Sequence, residues 1–223
     1  MSYTFDFSSL LEYIPVLEKG ILITVELTAF GAVFGVLLGI LCAALRTQGP
    51  RSLRPVVTAY VEVIRNTPFL VQLFFIFFGL PSAGVRLSEM EAATLAMVIN
   101  LGAYSTEIIR AGIEATPWGQ IEAGRSLAMT RLQIFRHIVL LPALRRIWPA
   151  LSSQIVIVML GSAVCSQIAA EDLSFAANFI QSRTFRAFEV YILTSLIYLL
   201  LALILRQVLR VVGWGLFQRR TAR

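Results

Sequence analysis

Two acid–base pairs border long apolar runs in the 223-residue sequence: Glu62 with Arg65, and Glu107 with Arg110. Each pair has i,i+3 spacing, so on a helix its two members share a face. Charges at the edge of a bilayer core need partners. Pairing Glu62 with Arg110 and Arg65 with Glu107, across two neighbouring helices, neutralises all four. Such a cluster is either a static staple or a gate latch that re-pairs when a cavity opens. Pro68 follows closely; it removes one backbone hydrogen bond and kinks its helix just beyond the charged layer. Covalent chemistry finds no support. No G-x-x-x-x-G-K-[ST] run occurs to cradle a nucleotide phosphate, and no zinc-ligand spacing occurs. His137, the only histidine, falls in a basic loop, as an exposed or docking residue. Cys165 and Ser166 have no histidine base in a plausible layer, and Cys42 and Cys165 read as packing residues in apolar runs. The reading is therefore not an enzyme, with no catalytic residue, no metal site and no cofactor held by this chain.

The elements that position these residues are membrane helices. Apolar residues make up 57% of the chain and charged residues only 14%, against about 25% charged in a soluble domain. The runs Leu27–Leu45, Asn66–Val85, Ile147–Ala170 and Val190–Leu205 are uncharged over 19, 20, 24 and 16 residues. Stretches near 20 residues match a hydrocarbon core of about 30 Å. This excludes a soluble enzyme, a disordered tail protein, a disulfide scaffold and an outer-membrane barrel, whose strands alternate over about ten residues. The pattern predicts an all-α integral membrane protein with five spans, at about 20–45, 56–80, 90–113, 147–169 and 189–212. Residues 1–19 form an extracytoplasmic segment, acidic at Asp6, Glu12 and Glu18, and without the basic start of a cleavable signal peptide. Residues 218–223 form a basic tail.

Thirteen of the 19 Lys and Arg residues lie after spans 1 and 3 or at the end of span 5 and in the tail, whereas Lys19, Arg86, Arg183 and Arg186 fall on the other side. The positive-inside rule then sets the N-terminus outside and the C-terminus in the cytoplasm. The net charge of +6 and pI of about 9.9 reflect this bias rather than nucleic-acid binding. Gly31, Gly35 and Gly39 recur every four residues on span 1, which lets another helix approach closely.

The cytoplasmic segment 114–146 is too short for an independent core. Thr116 before Pro117 suggests an N-cap with proline at the first helical position, and Thr130 with Gln133 fits a capping box. Two short helices then meet near Ala128–Thr130. The second puts Leu132, Phe135 and Ile138 on one face and Arg131 on another. It is either a connector lying on the membrane or a helix for a groove on a soluble partner.

This segment resembles the EAA loop of permease subunits of bacterial ABC importers, whose pattern is Glu-Ala-Ala, three residues, Gly, nine residues, Ile, one residue, Leu-Pro. Glu122, Ala123, Ile138 and Leu140 fall in register. Gly124 replaces the second alanine, Ala128 replaces the glycine, and Leu141 takes the proline place with Pro142 one later. Span 2, YVEVIRNTPFLVQLFFIFFGLP, and the end of span 3, GAYSTEIIRAGIEATPWGQIEAG, resemble the histidine, glutamine, arginine and glutamate permeases of the polar amino acid branch. The similarity runs from about Gly20 to Phe217.

The resemblance implies a binding-protein-dependent ABC importer permease fold over 20–217, in the bacterial inner membrane. It implies a dimer with an identical or homologous permease, two cytoplasmic ATPases that hold ATP-Mg, and a periplasmic or lipid-anchored substrate-binding protein. Residues Gln120–Pro142 would couple to the ATPases, through Glu122, Ala123, Gly124, Ala128, Arg131, Phe135 and Ile138. A cavity for a zwitterion needs polar groups midway along spans 2 to 4, and Gln72, Asn100, Tyr104, Gln154 and Ser162 are the candidates. Relatives that carry cationic amino acids resemble each other in acidic residues on span 4, where this sequence has Gln154 and Gly161. A buried cation would find no counter-charge there, so a neutral or acidic amino acid or related zwitterion is expected. An ATP-independent secondary transporter or channel is the competing reading. Inverted repeats would favour it, and none is found.

Overall fold

The computed structural model describes residues 5–217; the basic tail 218–223 lies outside them. Every regular element among the described residues is helical. A 3₁₀ turn, Ser8–Tyr13, leads into α1 (Ile14–Gln48). Helix α2 (Arg54–Arg65) is followed by α3 (Phe69–Phe74), which runs on through a π-helical turn and a 3₁₀ turn to Ala83. Helix α4 spans Glu89–Glu114, and the short α5 spans Trp118–Ser126. Helix α6 (Arg131–Gln133) continues as a π-helical stretch, Ile134–Leu140, into α7 (Leu141–Gly161) and a 3₁₀ stretch to Ile168. Helix α8 (Leu173–Thr184) and α9 (Ala187–Phe217) complete the chain.

Four of the described helices are long and apolar enough to cross a membrane, and α2 with α3 makes a fifth span if the bent pair counts as one. The bend between them is 113°, far more than a proline kink. The fourth span also differs from expectation. It is continuous with the second short helix of the loop, from Arg131 to Ile168. Its widened π-helical turns lie just before Pro142, whose ring would crowd a carbonyl of a regular helix.

Helix α4 is the centre of the bundle: 56% of its most apolar window is buried, against 17% for α9. The glycines of α1 explain how α4 is held. A methyl group added to Gly31, Gly35 or Gly39 would lie 3.3 Å from Met97 Cβ, 2.9 Å from Leu101 Cβ and 2.4 Å from Ser105 Cβ. The constant offset means that α1 and α4 run parallel, with backbones in close approach. Leu27, Leu101, Leu151 and Ile155 fill the core between α1, α4 and α7. Tyr60 of α2 donates to Ile99 O at 2.7 Å, tying the broken span to α4.

Candidate translocation cavity

Gln72 organises the break in the second span. Pro68 has no N–H, so Ile64 O loses its ordinary helical donor four residues on. Gln72 Nε2 replaces it, 2.7 Å from Ile64 O and 3.0 Å from Thr67 O. Asn66 Nδ2 donates to Glu62 O at 2.8 Å, and Thr67 Oγ1 donates to Val63 O at 2.8 Å. The backbone opened at Pro68 is thereby satisfied by side chains from within the break. Irregular backbone at membrane depth is tolerated where it borders a cavity. Here it does.

A partly open cavity of about 300 Å³ lies against the break. Thr67, Pro68 and Phe69 form one wall, Asn100 and Tyr104 of α4 a second, and Gln154, Ile157 and Gly161 of α7 a third. No charged side chain is part of the lining. The volume is at the lower end for small-molecule sites, roughly 300–1,000 Å³. Asn100 Nδ2 donates to Gln72 Oε1 at 3.0 Å, so the break also orients one cavity wall. The Gln154 amide and the Tyr104 hydroxyl form no hydrogen bond among the described residues. Arg65 lies over the Tyr104 ring, 5.6 Å from its centroid, and is outside the cavity's lining.

Three of the five expected pathway residues, Asn100, Tyr104 and Gln154, thus meet at one cavity. Gln72 is buried behind the wall with its amide engaged in the break. Ser162 is fully buried and donates to Met159 O at 2.7 Å, away from the lining.

The charge cluster is wired differently from the expected cross-helix pairs. Glu107 bonds Arg46 of α1 at 2.7 Å and Arg110 on its own helix. Arg110 also reaches Glu114, one turn further along α4. Glu62 accepts from Asn66, not from Arg110. The guanidinium fork of Arg110 finds carboxylates at i−3 and i+4 on its own face, which leaves no need for a partner on α2. Arg46 was missed by the sequence reading. The parallel register Gly31–Met97 to Gly39–Ser105, extended along the helices, points to its end of α1 lying beside Glu107.

In the segment beyond α4, Pro117 takes the N-cap place of α5 in extended conformation and makes no side-chain cap; Thr116 is one residue outside the expected position. Trp118 Nε1 donates to Glu122 Oε1 at 2.8 Å, and Arg125 stacks over the Trp118 ring. Helix α5 ends in a tight turn with Ala128 in the left-handed region, φ 56°. Met129 N donates to Gly124 O and Ala128 N to Arg125 O, the paired bonds of a Schellman turn. Thr130 and Gln133 then form the expected capping box. Gly124 has no room for a side chain: an added methyl would sit 2.5 Å from Ile138 Cδ1. Phe135 and Ile138 pack inward against the cluster around Ile109 and Val139, while Leu132 is 74% exposed. Arg131 is exposed beside it. Trp118, Leu127 and Leu132 leave an apolar surface on the outside of this helical turn. Among the described residues no group of three or more His, Cys, Asp or Glu side chains is placed to hold a metal ion.

Residues 35–215 match the family model for the binding-protein-dependent transport system inner membrane component. The chain is 39% identical to the probable glutamine ABC transporter permease protein GlnM of Bacillus subtilis over 74% of its own length and 77% of that protein. It is 36% identical to the L-cystine transport system permease protein TcyB of Bacillus subtilis, over 89% and 85%. A crystal structure of an amino acid ABC transporter with histidines superposes with a TM-score of 0.85 at 38% identity, covering 95% of this chain and 99% of that one. In this family ATP-Mg is used by the partner ATPases, not by the permease. The chain belongs to this family of inner membrane components: it is a multi-pass permease subunit of a bacterial polar amino acid ABC importer, working in an assembly of a permease dimer, ATPase subunits and a substrate-binding protein.

Proposed function

We propose that the cavity beside Pro68 is the amino acid site of this importer and that it takes a neutral or acidic amino acid, or a related zwitterion, in preference to a cationic one. One observation carries this reading. The cavity brings together an unengaged amide at Gln154 and an unengaged hydroxyl at Tyr104, with no carboxylate in its lining. A polar, uncharged solute satisfies such groups. A cationic side chain meets Arg65 behind Tyr104 and has no counter-charge. The relatives named for glutamine and cystine transport are in keeping with that substrate class.

In this reading the chain crosses the membrane five times, with its N-terminus outside and its C-terminus in the cytoplasm. The broken pair α2–α3 is one span, and the parallel course of α1 and α4 fits the single return crossing between them. Segment 114–146 is the coupling region. Glu122, Ala123, Gly124, Ala128, Arg131, Phe135 and Ile138 build it, and Trp118, Leu127 and Leu132 supply the apolar contact for an ATPase groove. Glu62, Arg65, Glu107 and Arg110 lie between this region and the cavity, with Arg46 as a fifth member. Glu107 is the hinge of that gate, since it bridges α1 and α4.

The test is uptake by proteoliposomes that contain the whole importer and its binding protein. Amino acids are presented at matched occupancy of the binding protein. Gln154→Glu is expected to bring in arginine or lysine transport at the expense of the native substrate. Unchanged selectivity would remove Gln154 from the site. Uptake that stops with a protonophore while ATP is held constant would contradict ATP-driven import itself.

A further inference from the structure

A second pocket, of about 550 Å³, opens where α7 begins and α9 ends. His137, Leu141, Arg145 and Arg146 line it from the helix that runs into α7, and Leu216 and Phe217 from α9. No acidic residue lines it, and none occurs anywhere from Ala123 to Ala170 or from Val190 to Arg223. His137 and Arg145 are exposed and have no hydrogen-bond or ion-pair partner among the described residues. Arg146 spends one N–H on Ala115 O at 2.9 Å. Two arginines beside a histidine on a concave surface, with no acid facing them, call for an anion.

The depth of the pocket says which anion. Helix α9 has 31 residues, about 45 Å of helix, against a hydrocarbon core of about 30 Å. Its final turns therefore leave the core. Trp148 donates to Leu209 O at 2.9 Å and stacks edge-on against Phe217, and Trp214 is 53% exposed nearby. Tryptophans at this level, above a ring of arginines, mark a membrane–water interface. The pocket thus sets arginines at headgroup height beside apolar Leu141, Leu216 and Phe217, and α9 carries exposed Leu199, Leu203 and Val211 further along its length. Basic pockets between helices at this depth hold anionic lipid headgroups.

We propose that the pocket at His137, Arg145 and Arg146 is a binding site for the phosphodiester of an anionic phospholipid, with an acyl chain on the Leu216–Phe217 end of α9. Arg145 is the principal charge, because neither an acid nor a carbonyl engages it. The site is separate from the amino acid cavity and does not depend on that assignment.

The whole importer, extracted mildly and then delipidated, is titrated with phosphatidylglycerol, cardiolipin or phosphatidylethanolamine, and bound lipid is counted by native mass spectrometry. Anionic lipid is expected to be retained in preference to phosphatidylethanolamine. Arg145→Gln with His137→Gln is expected to weaken retention at least about fivefold, as loss of one basic group at a charged membrane surface implies. Arg145→Lys with native His137 is expected to retain most of it. A control pair, Arg51→Gln with Arg206→Gln, removes charge elsewhere and is expected to leave retention unchanged. Equal retention of phosphatidylethanolamine, equal loss in the control, or no loss in the pocket variant overturns the proposal. Displacement of the lipid by millimolar inorganic phosphate overturns it in favour of a free-anion site. Loss of the ATPase subunits from the pocket variant with lipid retention intact overturns it in favour of protein docking.

Discussion

Two regions of the molecule bury polar groups and treat them in opposite ways. Where α1, α8 and α9 meet, the buried acids and the hydroxyls beside them are engaged. Glu189 is fully buried, accepts the Asp6 N–H at 3.0 Å and pairs with Arg186. Asp172 caps α8 through Phe175 N–H and receives the Tyr198 hydroxyl, and Thr24 accepts Leu173 N–H at 3.1 Å. At the break in the second span, Gln72 satisfies the backbone, but the side chains facing the cavity are left with capacity to spare. Buried polar groups cost free energy unless bonded, so a fully bonded cluster reads as structure. A set left open around a small cavity reads as a place for a solute.

That contrast is broken or sharpened by substitutions that separate stability from transport. Glu189→Ala removes the acceptor of the Asp6 N–H and one of the carboxylates that Arg186 meets, the Asp6 carboxylate being another. We expect a loss of about 2–3 kcal/mol in the thermal or denaturant stability of the importer, the usual worth of bonds to a charged group. Gln72→Leu removes the donor that replaces Pro68. A stability loss of about 1–2 kcal/mol is expected, together with a fall in uptake, because Asn100 loses its orienting partner. Ala128→Gly acts in the other direction. It relieves a left-handed alanine and stabilises the isolated permease by about 1 kcal/mol, with the coupling turn preserved. Destabilisation by this change would mean that the turn is held differently.

The last prediction concerns pH. Burial pushes the Asp172 carboxyl up to about 6. The protonated form is thus favoured on folding. Its contribution is full below the ordinary carboxylate value near 4 and is lost as pH rises through about 6. Relative to Asp172→Asn, the native chain should melt at progressively lower temperature between pH 4 and 6. Parallel melting curves for the two proteins across that range would contradict the assigned burial.

Much of this fold was legible because bilayer thickness turns composition into length. The uncharged runs marked the long apolar helices, the four-residue glycine spacing marked the face of α1 that another helix approaches without naming α4, and Thr130 with Gln133 located the capping box. The severity of the break was not legible. Pro68 alone suggests a kink, but the residue before a proline also avoids helical backbone, so Thr67 leaves the helix with it. The role of Gln72 was hidden because it acts across the break, on Ile64 eight positions earlier. Ser162 misled because a hydroxyl inside a helix can spend itself on its own backbone. The ion pairs misled for a different reason. Arg46 comes from the end of α1, distant in sequence, while Arg110 meets Glu114 on its own helix.

The most direct measurement is a structure of the whole importer, determined with and without its transported amino acid in nucleotide-free form. New density is predicted between Pro68 and α7, within hydrogen-bond reach of Gln154 and Tyr104, with the Glu189 and Asp172 clusters unchanged. Transport-competent protein with the amino acid bound elsewhere along the permease, and this cavity occupied by side chains or lipid, would contradict it.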